Sequence, residues 1–377
     1  MTTDCQTQLI EMPTGTLTVS VEASELPLDT LCTYAARINP KRGFLFASRY
    51  LAREMPATPS SIADLHSRLA GKLADDLPGP ILFVGMAEYA ISLGQGVYEA
   101  YHARTGREDI LYIHSTRYRL SRESFIEFKE EHSHAPAHIL YVPDSEEDKQ
   151  LLARVKTLVL IDDEASTGKT FRNLALAFQK MNPHLQQVVT MVITDWRGEE
   201  QRKLIQESMP APCTDISLLN GSFQFSGKQN LQVQMPNVTG CCAPKDHLLA
   251  ANHGRFGVRG KLEIEDALIE SLNISEGERL LVVGSGEFVH LPYLLAHTLE
   301  ARCGAKTWIQ STTRNPLMTW GPIECTFTFT NKVHNIPSFL YNCRPEEYDR
   351  VILCLETPAN LVDPALLNFL NCQVLSF

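Results

Sequence analysis

The stretch TLVLIDDEASTGKT at residues 157–170 constrains the fold more than any other. Residues 158–161 are a short run of branched apolar side chains without alternation, which reads as a strand buried on both faces of a parallel sheet. Two acids, Asp162 and Asp163, follow at once, then the small and hydroxylic Ala165, Ser166, Thr167 and Gly168, then Lys169 and Thr170. From Phe171 onward the period changes. Phe171, Leu174, Ala175, Phe178 and Met181 are spaced for one apolar face of a helix. Strand, acidic pair, tight loop and helix in this order predict an α/β domain with its site at the C-terminal ends of the strands.

Each part has a chemical reason. Backbone N–H groups of a tight loop at a helix N-terminus favour an anion, typically a phosphate. Ser166, Thr167 and Thr170 add hydroxyl donors, and Gly168 lets the chain turn tightly. Two adjacent carboxylates suit hydroxyl groups, or a magnesium-bound water, better than a phosphate. The ligand implied carries a vicinal diol at one end and a phosphate at the other, as ribose 5-phosphate does. The nearest rival is the ATP-binding loop GxxxxGK[ST], whose end Gly168-Lys169-Thr170 match. Its first glycine would fall at Asp163, a carboxylate where phosphates should sit. A bare strand end with solvated acids is the remaining reading of this stretch.

IDDEASTGKT resembles the signature of type I phosphoribosyltransferases of the orotate phosphoribosyltransferase-like kind. The resemblance implies that Asp162 and Asp163 take the ribose hydroxyls of phosphoribosyl pyrophosphate (PRPP). It implies that Ala165, Ser166, Thr167, Gly168, Lys169 and Thr170 take its 5-phosphate. It also implies Mg2+, held indirectly by Asp162 and Asp163 through water. Many relatives that use purines carry an acid at the position of Ser166, so the resemblance argues weakly against a hypoxanthine-type base.

With 377 residues, two domains are expected. A hydrophobic share of 44% and a charged share of 21% fit an ordinary soluble globular chain. The net charge of −10 argues against a nucleic-acid partner, which would call for a basic face. No apolar run reaches about 18 residues and the N-terminus shows no signal pattern, so no membrane partner and a cytoplasmic location are expected. Ten scattered cysteines without a CxxC pair read as reduced buried thiols. Cys241-Cys242 with Asp246 and His247 reads as a linker or as a metal site.

In chain order, residues 14–22 alternate like an edge strand, 28–38 are spaced for a helix, and 62–77 form another helix ended by Pro78-Gly79-Pro80. Residues 81–84 are the next buried strand, followed by Gly85, Met86, Ala87 and Glu88. Gly85 would permit a strained backbone there. By resemblance these four hold pyrophosphate through backbone amides, although Glu88 is unexpected beside an anion; a plain strand-to-helix turn is the other reading. Residues 110–113 are a strand leading into Ser115-Thr116-Arg117-Tyr118-Arg119 and a loop rich in arginine and histidine. The resemblance makes this loop a mobile cover over PRPP. Arg117 and Arg119 are the candidate cations for the departing pyrophosphate. His132 and His134, with His138, are acid/base candidates. With Glu131 they also have spacing for zinc, and a solvated loop is the third reading. Residues 188–193 are a core strand, capped by Asp195 and Trp196, which are base-pocket candidates by resemblance or else a structural turn.

The C-terminal half repeats these landmarks in order. Asn39 with Arg42-Gly43-Phe44 parallels Asn252 with Arg255-Phe256-Gly257, and residues 81–89 parallel 280–288. Ser115-Thr116-Arg117 parallels Thr312-Thr313-Arg314, Leu140-Tyr141 parallels Leu340-Tyr341, and residues 351–355 parallel the strand before the diacid. After Leu355 stand Glu356-Thr357-Pro358-Ala359-Asn360, with one acid and no glycine, so PRPP binding looks lost there. Gly284-Ser285-Gly286 also starts a dinucleotide-type loop, but Val289 replaces the third glycine. This half resembles the TRSP domain through Thr313-Arg314-Asn315-Pro316. That domain follows phosphoribosyltransferase domains in a bacterial family associated with tellurium-resistance-type stress clusters and thought to make a nucleoside-like metabolite.

The expectation is therefore a parallel-sheet phosphoribosyltransferase domain at residues 1–235 and a smaller, degenerate α/β TRSP domain at 236–377. The resemblance implies a PRPP-dependent glycosyltransferase of the pentosyltransferase class, acting on PRPP and a nitrogenous base or nucleotide, with a homodimer among its possible assemblies. Glu287, Thr313 and Arg314 are the ligand candidates of the C-terminal half. A non-catalytic PRPP- or nucleotide-binding regulator of the same fold is the alternative.

Overall fold

The computed structural model describes residues 6–39, 42–128, 138–228, 245–246, 248–249 and 251–377. The chain forms two compact units, and neither is one continuous stretch. The first comprises residues 1–31, 65–229 and 252–261; the second comprises 32–64, 230–251 and 262–377. Relative to a single cut after residue 235, segments 32–64 and 252–261 lie on the other side.

The first unit is built on a five-stranded parallel sheet. Its spatial order is Cys213–Ile216, Gln187–Met191, Thr157–Ile161, Ile81–Gly85, Ile110–His114. Every residue of the three strands Ile81–Gly85, Ile110–His114 and Thr157–Ile161 is buried, as a sheet covered on both faces requires. In chain order the first strand, Ile81–Gly85, lies beside both the second and the third, so the order reverses there. Such a reversal opens a crevice at the strands' C-terminal ends, where α/β sheets bind ligands. The two strands that flank it end level, with Gly85 opposite Ile161.

Helix Ile91–Thr105 returns over this sheet. A Cβ on Gly94 would lie 2.8 Å from the Gly85 Cα, so helix and strand touch through two glycines. Gly85 is required by this space and by the Tyr112 hydroxyl, which a Cβ on Gly85 would meet at 2.5 Å. It is not among the glycines with positive φ, so the expected strained backbone at Gly85 is replaced by close packing. Helix Lys169–Met181 buries Phe171, Leu174, Ala175 and Phe178 as its spacing predicts, whereas Met181, at its last turn, is 54% exposed.

A second sheet of the same unit runs Gln6–Met12, Gly15–Ser24, Leu219–Gly227, Thr194–Asp195, Glu164–Ala165. Gly15–Ser24 is paired on both sides, so the strand expected at an edge is interior. The alternation that suggested an edge arises because one face of this sheet is buried and the other is not.

The second unit holds a four-stranded parallel sheet ordered Lys306–Ser311, Arg279–Gly284, Arg350–Leu355, Gln373–Ser376. Its first strand again lies between its second and third. Residues expected as a helix at 28–38 form one turn, Leu28–Leu31, and then strand Cys32–Ala36, paired antiparallel with Phe44–Ser48. Tertiary packing overrides helix spacing there: Ala35, Leu45 and Ala47 form a core with Leu317, Phe339 and Tyr341. No described helix is long and apolar enough to cross a membrane.

Candidate functional site

The crevice between Ile81–Gly85 and Thr157–Ile161 is bordered by the two segments with the most chemistry. On one side Asp162 and Asp163 leave the strand half-buried. Asp162 N–H donates to Met191 O at 3.0 Å, and the Asp162 carboxylate Oδ1 accepts the Asp163 N–H at 3.0 Å. The carboxylate is thus oriented by its own backbone. The chain then joins the second sheet through Glu164–Ala165, and Trp196 N–H donates to Ala165 O at 2.8 Å.

Ser166, Thr167 and Thr170 are half-buried and Lys169 is exposed around the turn into the helix. Gly168 is the N-cap at φ +72°, a left-handed conformation that favours glycine. A Cβ there would also lie 3.1 Å from Arg197 Cδ. Arg197 is fully buried beneath this loop. Its Nε and Nη2 donate to the two oxygens of Asp195 at 2.9 and 2.6 Å, and Nη2 lies 3.1 Å from Asp215. Burial works against the charge, but Asp195 and Asp215 outweigh it and raise the guanidinium pKa. Gln201 adds a side-chain hydrogen bond to Thr167 O at 3.3 Å.

This geometry corrects one expectation. Asp195 is 1% exposed, with its carboxylate held bidentately by Arg197, and Trp196 is 2% exposed and packs against Gly221. Both brace the loop from behind rather than open onto a base. Arg197 carried no assignment from the sequence, because one of its two acid partners, Asp215, comes from a separate strand.

On the other side of the crevice lies the turn Gly85, Met86, Ala87, Glu88. Met86 N–H donates to Ile161 O at 3.0 Å and Ala87 N–H donates to the Ser115 hydroxyl at 2.9 Å. The amides of Met86 and Ala87, expected to face an anion, are therefore engaged within the protein. Ser115 Oγ lies 2.9 Å from Nδ1 of His138, which is fully buried, so His138 supports the turn and does not reach solvent as an acid or base. Arg117 comes to this turn directly, with Nη2 donating to Ala87 O at 3.4 Å. Arg119 instead forms an exposed ion pair with Glu127. His132 and His134 lie outside the described residues, as do Glu131, Cys241, Cys242 and His247. Among the described residues no cluster of three His, Cys, Asp or Glu side chains is disposed to hold a metal.

His114 ends the strand beside this turn. Its ring nitrogens lie 2.9 Å from Ser115 O and 3.1 Å from His253 O, contacts that favour the charged ring. Complete burial and the charge of Arg255 outweigh them and push the pKa from 6.5 down to about 3. The sign follows directly. Below about pH 6.5 the unfolded chain takes up a proton that the folded chain refuses, so stability falls until the pH reaches about 3. Urea midpoints measured at pH 7 and pH 4.5 should show His114→Asn losing less stability on acidification than the parent. An equal or greater loss in the variant would remove His114 from the acid response.

The second unit repeats the scaffold of this turn. Gly286 N–H donates to Thr312 Oγ1 at 2.9 Å, as Ala87 N–H does to Ser115. Thr312 N–H donates to Gly284 O and Ser115 N–H to Gly85 O. The Tyr341 hydroxyl accepts from Leu317 N–H and donates to Asn315 O, as the Tyr141 hydroxyl accepts from Leu120 N–H and donates to Tyr118 O. Glu287 and Thr313 are buried and Arg314 is half-buried. The arginine at the place of Arg255 is Arg53, not Arg42: Ser311 N–H donates to the O of Ala52, just before Arg53, as His114 N–H donates to the O of Gly254, just before Arg255.

Among solved structures, the chain is similar to adenine phosphoribosyltransferase from Trypanosoma brucei in complex with AMP, pyrophosphate and ribose-5-phosphate. The identity is 14%, covering 71% of this chain and 99% of that one, with a TM-score of 0.36. It is also similar to the Giardia lamblia APRTase complexed with 9-deazaadenine, at 14% identity, 43% and 81% coverage and a TM-score of 0.29. Orotate phosphoribosyltransferase from Aeropyrum pernix matches at 15% identity, 47% and 80% coverage and a TM-score of 0.26. No curated protein matches the chain. A family model described as phosphoribosyl transferase matches residues 31–222, just over half of the chain, and the TRSP domain found C-terminal to that family matches residues 252–370. The chain belongs to this phosphoribosyl transferase family and carries its C-terminal TRSP domain.

Proposed function

We propose that the protein joins a nitrogenous base to ribose 5-phosphate from PRPP with release of pyrophosphate, or runs the reverse reaction. The observation that carries this reading is the convergence at one crevice of the diacid, the Ala165–Thr170 loop and the turn beside Arg117. Asp162 and Asp163 accept the ribose hydroxyls, and the loop before helix Lys169–Met181 takes the 5-phosphate. Arg117 neutralises charge on the departing pyrophosphate as the sugar becomes oxocarbenium-like. The paired half-buried carboxylates suit Mg2+ held through water, which would screen the diphosphate when bound.

Because the Met86 and Ala87 amides are engaged elsewhere, the cationic side chain of Arg117 carries more of the pyrophosphate contact than the backbone does. The product would serve a nucleoside-like metabolite of a bacterial stress response, as the family resemblance implies. We read the second unit as a degenerate copy of the first, in which half-buried Arg314, rather than buried Glu287 and Thr313, faces a ligand of its own. The matching strand order and turn hydrogen bonds support this.

Pyrophosphate release from PRPP with a panel of bases, alongside calorimetry with PRPP alone, tests both readings. The expected result is release with at least one base and one PRPP bound per chain. Saturable binding without release for any base would make the protein a PRPP-responsive regulator. Two PRPP per chain would overturn the degenerate-copy reading.

A further inference from the structure

The strand Ile110–His114 carries, at its end, the turn that holds Arg117. Its outer edge is covered by residues 252–261, which lie in the TRSP-matched part of the sequence. Tyr112 and Val258 exchange both backbone hydrogen bonds at 3.0 and 2.9 Å, and His114 N–H donates to Gly254 O at 3.0 Å. Gly260 N–H donates to the Tyr98 hydroxyl at 2.9 Å and Asp144 N–H to Phe256 O at 3.2 Å. The Phe256 ring meets Tyr141 edge-on and lies under the Arg122 guanidinium. Gly254, at φ +102°, approaches so closely that a Cβ would lie 2.8 Å from the His114 ring. The segment thus covers the open edge of the first unit's sheet through an isolated antiparallel bridge at Tyr112 and Val258.

Within it, Arg255 is 1% exposed. Its guanidinium stands 5.2 Å over the Tyr118 ring, and its Nε donates to Thr116 Oγ1 at 3.4 Å. Thr116 Oγ1 also accepts the Tyr118 N–H at 3.1 Å. Arg255 therefore holds the residues on both sides of Arg117. The second unit uses the same device. Arg53, also 1% exposed and carried by segment 32–64, donates through Nη1 to Gly286 O at 2.8 Å and Thr312 O at 2.9 Å. Each unit thus receives, at the turn after its second strand, a buried arginine from the other half of the sequence.

We infer that Arg255 is a positioning residue for the PRPP site, fixing the Ser115–Tyr118 turn so that Arg117 stays beside Ala87. The inference rests on the role proposed above for Arg117. It makes the TRSP-matched segment 252–261 part of the catalytic unit. A displacement of about 1 Å in a charge-stabilising group lowers turnover by about a hundredfold while binding groups elsewhere stay in place.

The test uses the full chain with Arg255→Ala, Arg255→Lys and, as a packing control, Phe256→Ala. Hydrogen exchange is read at residues 115–118 and at Gly254 and Val258, with kcat and the KM for PRPP. Arg255→Ala should speed exchange at residues 115–118 and lower kcat by about ten- to a hundredfold with a smaller change in KM. Arg255→Lys should recover part of both, and Gly254 and Val258 should stay protected. Unchanged exchange at residues 115–118 in Arg255→Ala would overturn the inference, as would a lysine variant no better than alanine in exchange and kcat. The exchange readout keeps its meaning if the parent turns over no PRPP, so the two proposals fail separately.

Discussion

The double variant Asp162→Asn, Asp163→Asn is expected to fold as the parent does and to lose PRPP binding. The fold should survive because the local contact that the side chain makes survives. Asp162 Oδ1 accepts the Asp163 N–H, and an asparagine oxygen accepts it equally well. Binding should not survive, because a hydroxyl donating to a carboxylate is a charge-assisted contact and a hydroxyl donating to an amide is not. Hydrogen bonds to charged groups contribute roughly 1.5–3 kcal/mol each, so two weaken the complex by about 10²- to 10⁴-fold. Calorimetry on the folded variant measures this, with circular dichroism as the fold control. Undiminished PRPP affinity would refute the assignment of the diacid to the ribose.

Arg117→Ala should separate binding from chemistry. Its guanidinium lies beside the Ala87 carbonyl at the mouth of the turn, half-buried and outside the core strands. A positive group that meets charge growing on the leaving pyrophosphate lowers the barrier more than it tightens the ground state. Loss of one such preorganised donor lowers kcat by about 10²- to 10³-fold. PRPP affinity should fall by less, since the diacid and the Ala165–Thr170 loop remain. Equal losses in kcat and affinity, or no loss, would move Arg117 to a binding or structural role. Arg119→Ala is the natural comparison: its exposed pair with Glu127 is worth little, so it should leave kcat nearly unchanged.

The central strands and the site loop were legible in the sequence because their causes are local. An all-apolar run with branched side chains must lie in a covered sheet, and the change from that run to a helical period at Phe171 locates the loop between them. Strands Ile81–Gly85, Thr157–Ile161, Gln187–Met191 and Arg350–Leu355 follow from this alone. Residues 28–38 did not, because apolar side chains at helical spacing also fit a short strand when a partner is available, and Phe44–Ser48 is that partner.

What the sequence by itself determined is the local order of strand, diacid, phosphate-type loop and helix, and with it the α/β class and the family. Hydrophobic period and backbone chemistry act over a few residues, so they can be read from one stretch. Only the tertiary structure decided which groups stand behind that stretch. Asp195, an apparent base contact, is turned inward because Arg197, itself paired with Asp215, meets it in the folded chain. Arg255 and Arg53 serve turns that lie far from them in sequence, because an open sheet edge needs hydrogen-bond partners from any part of the chain that can reach it.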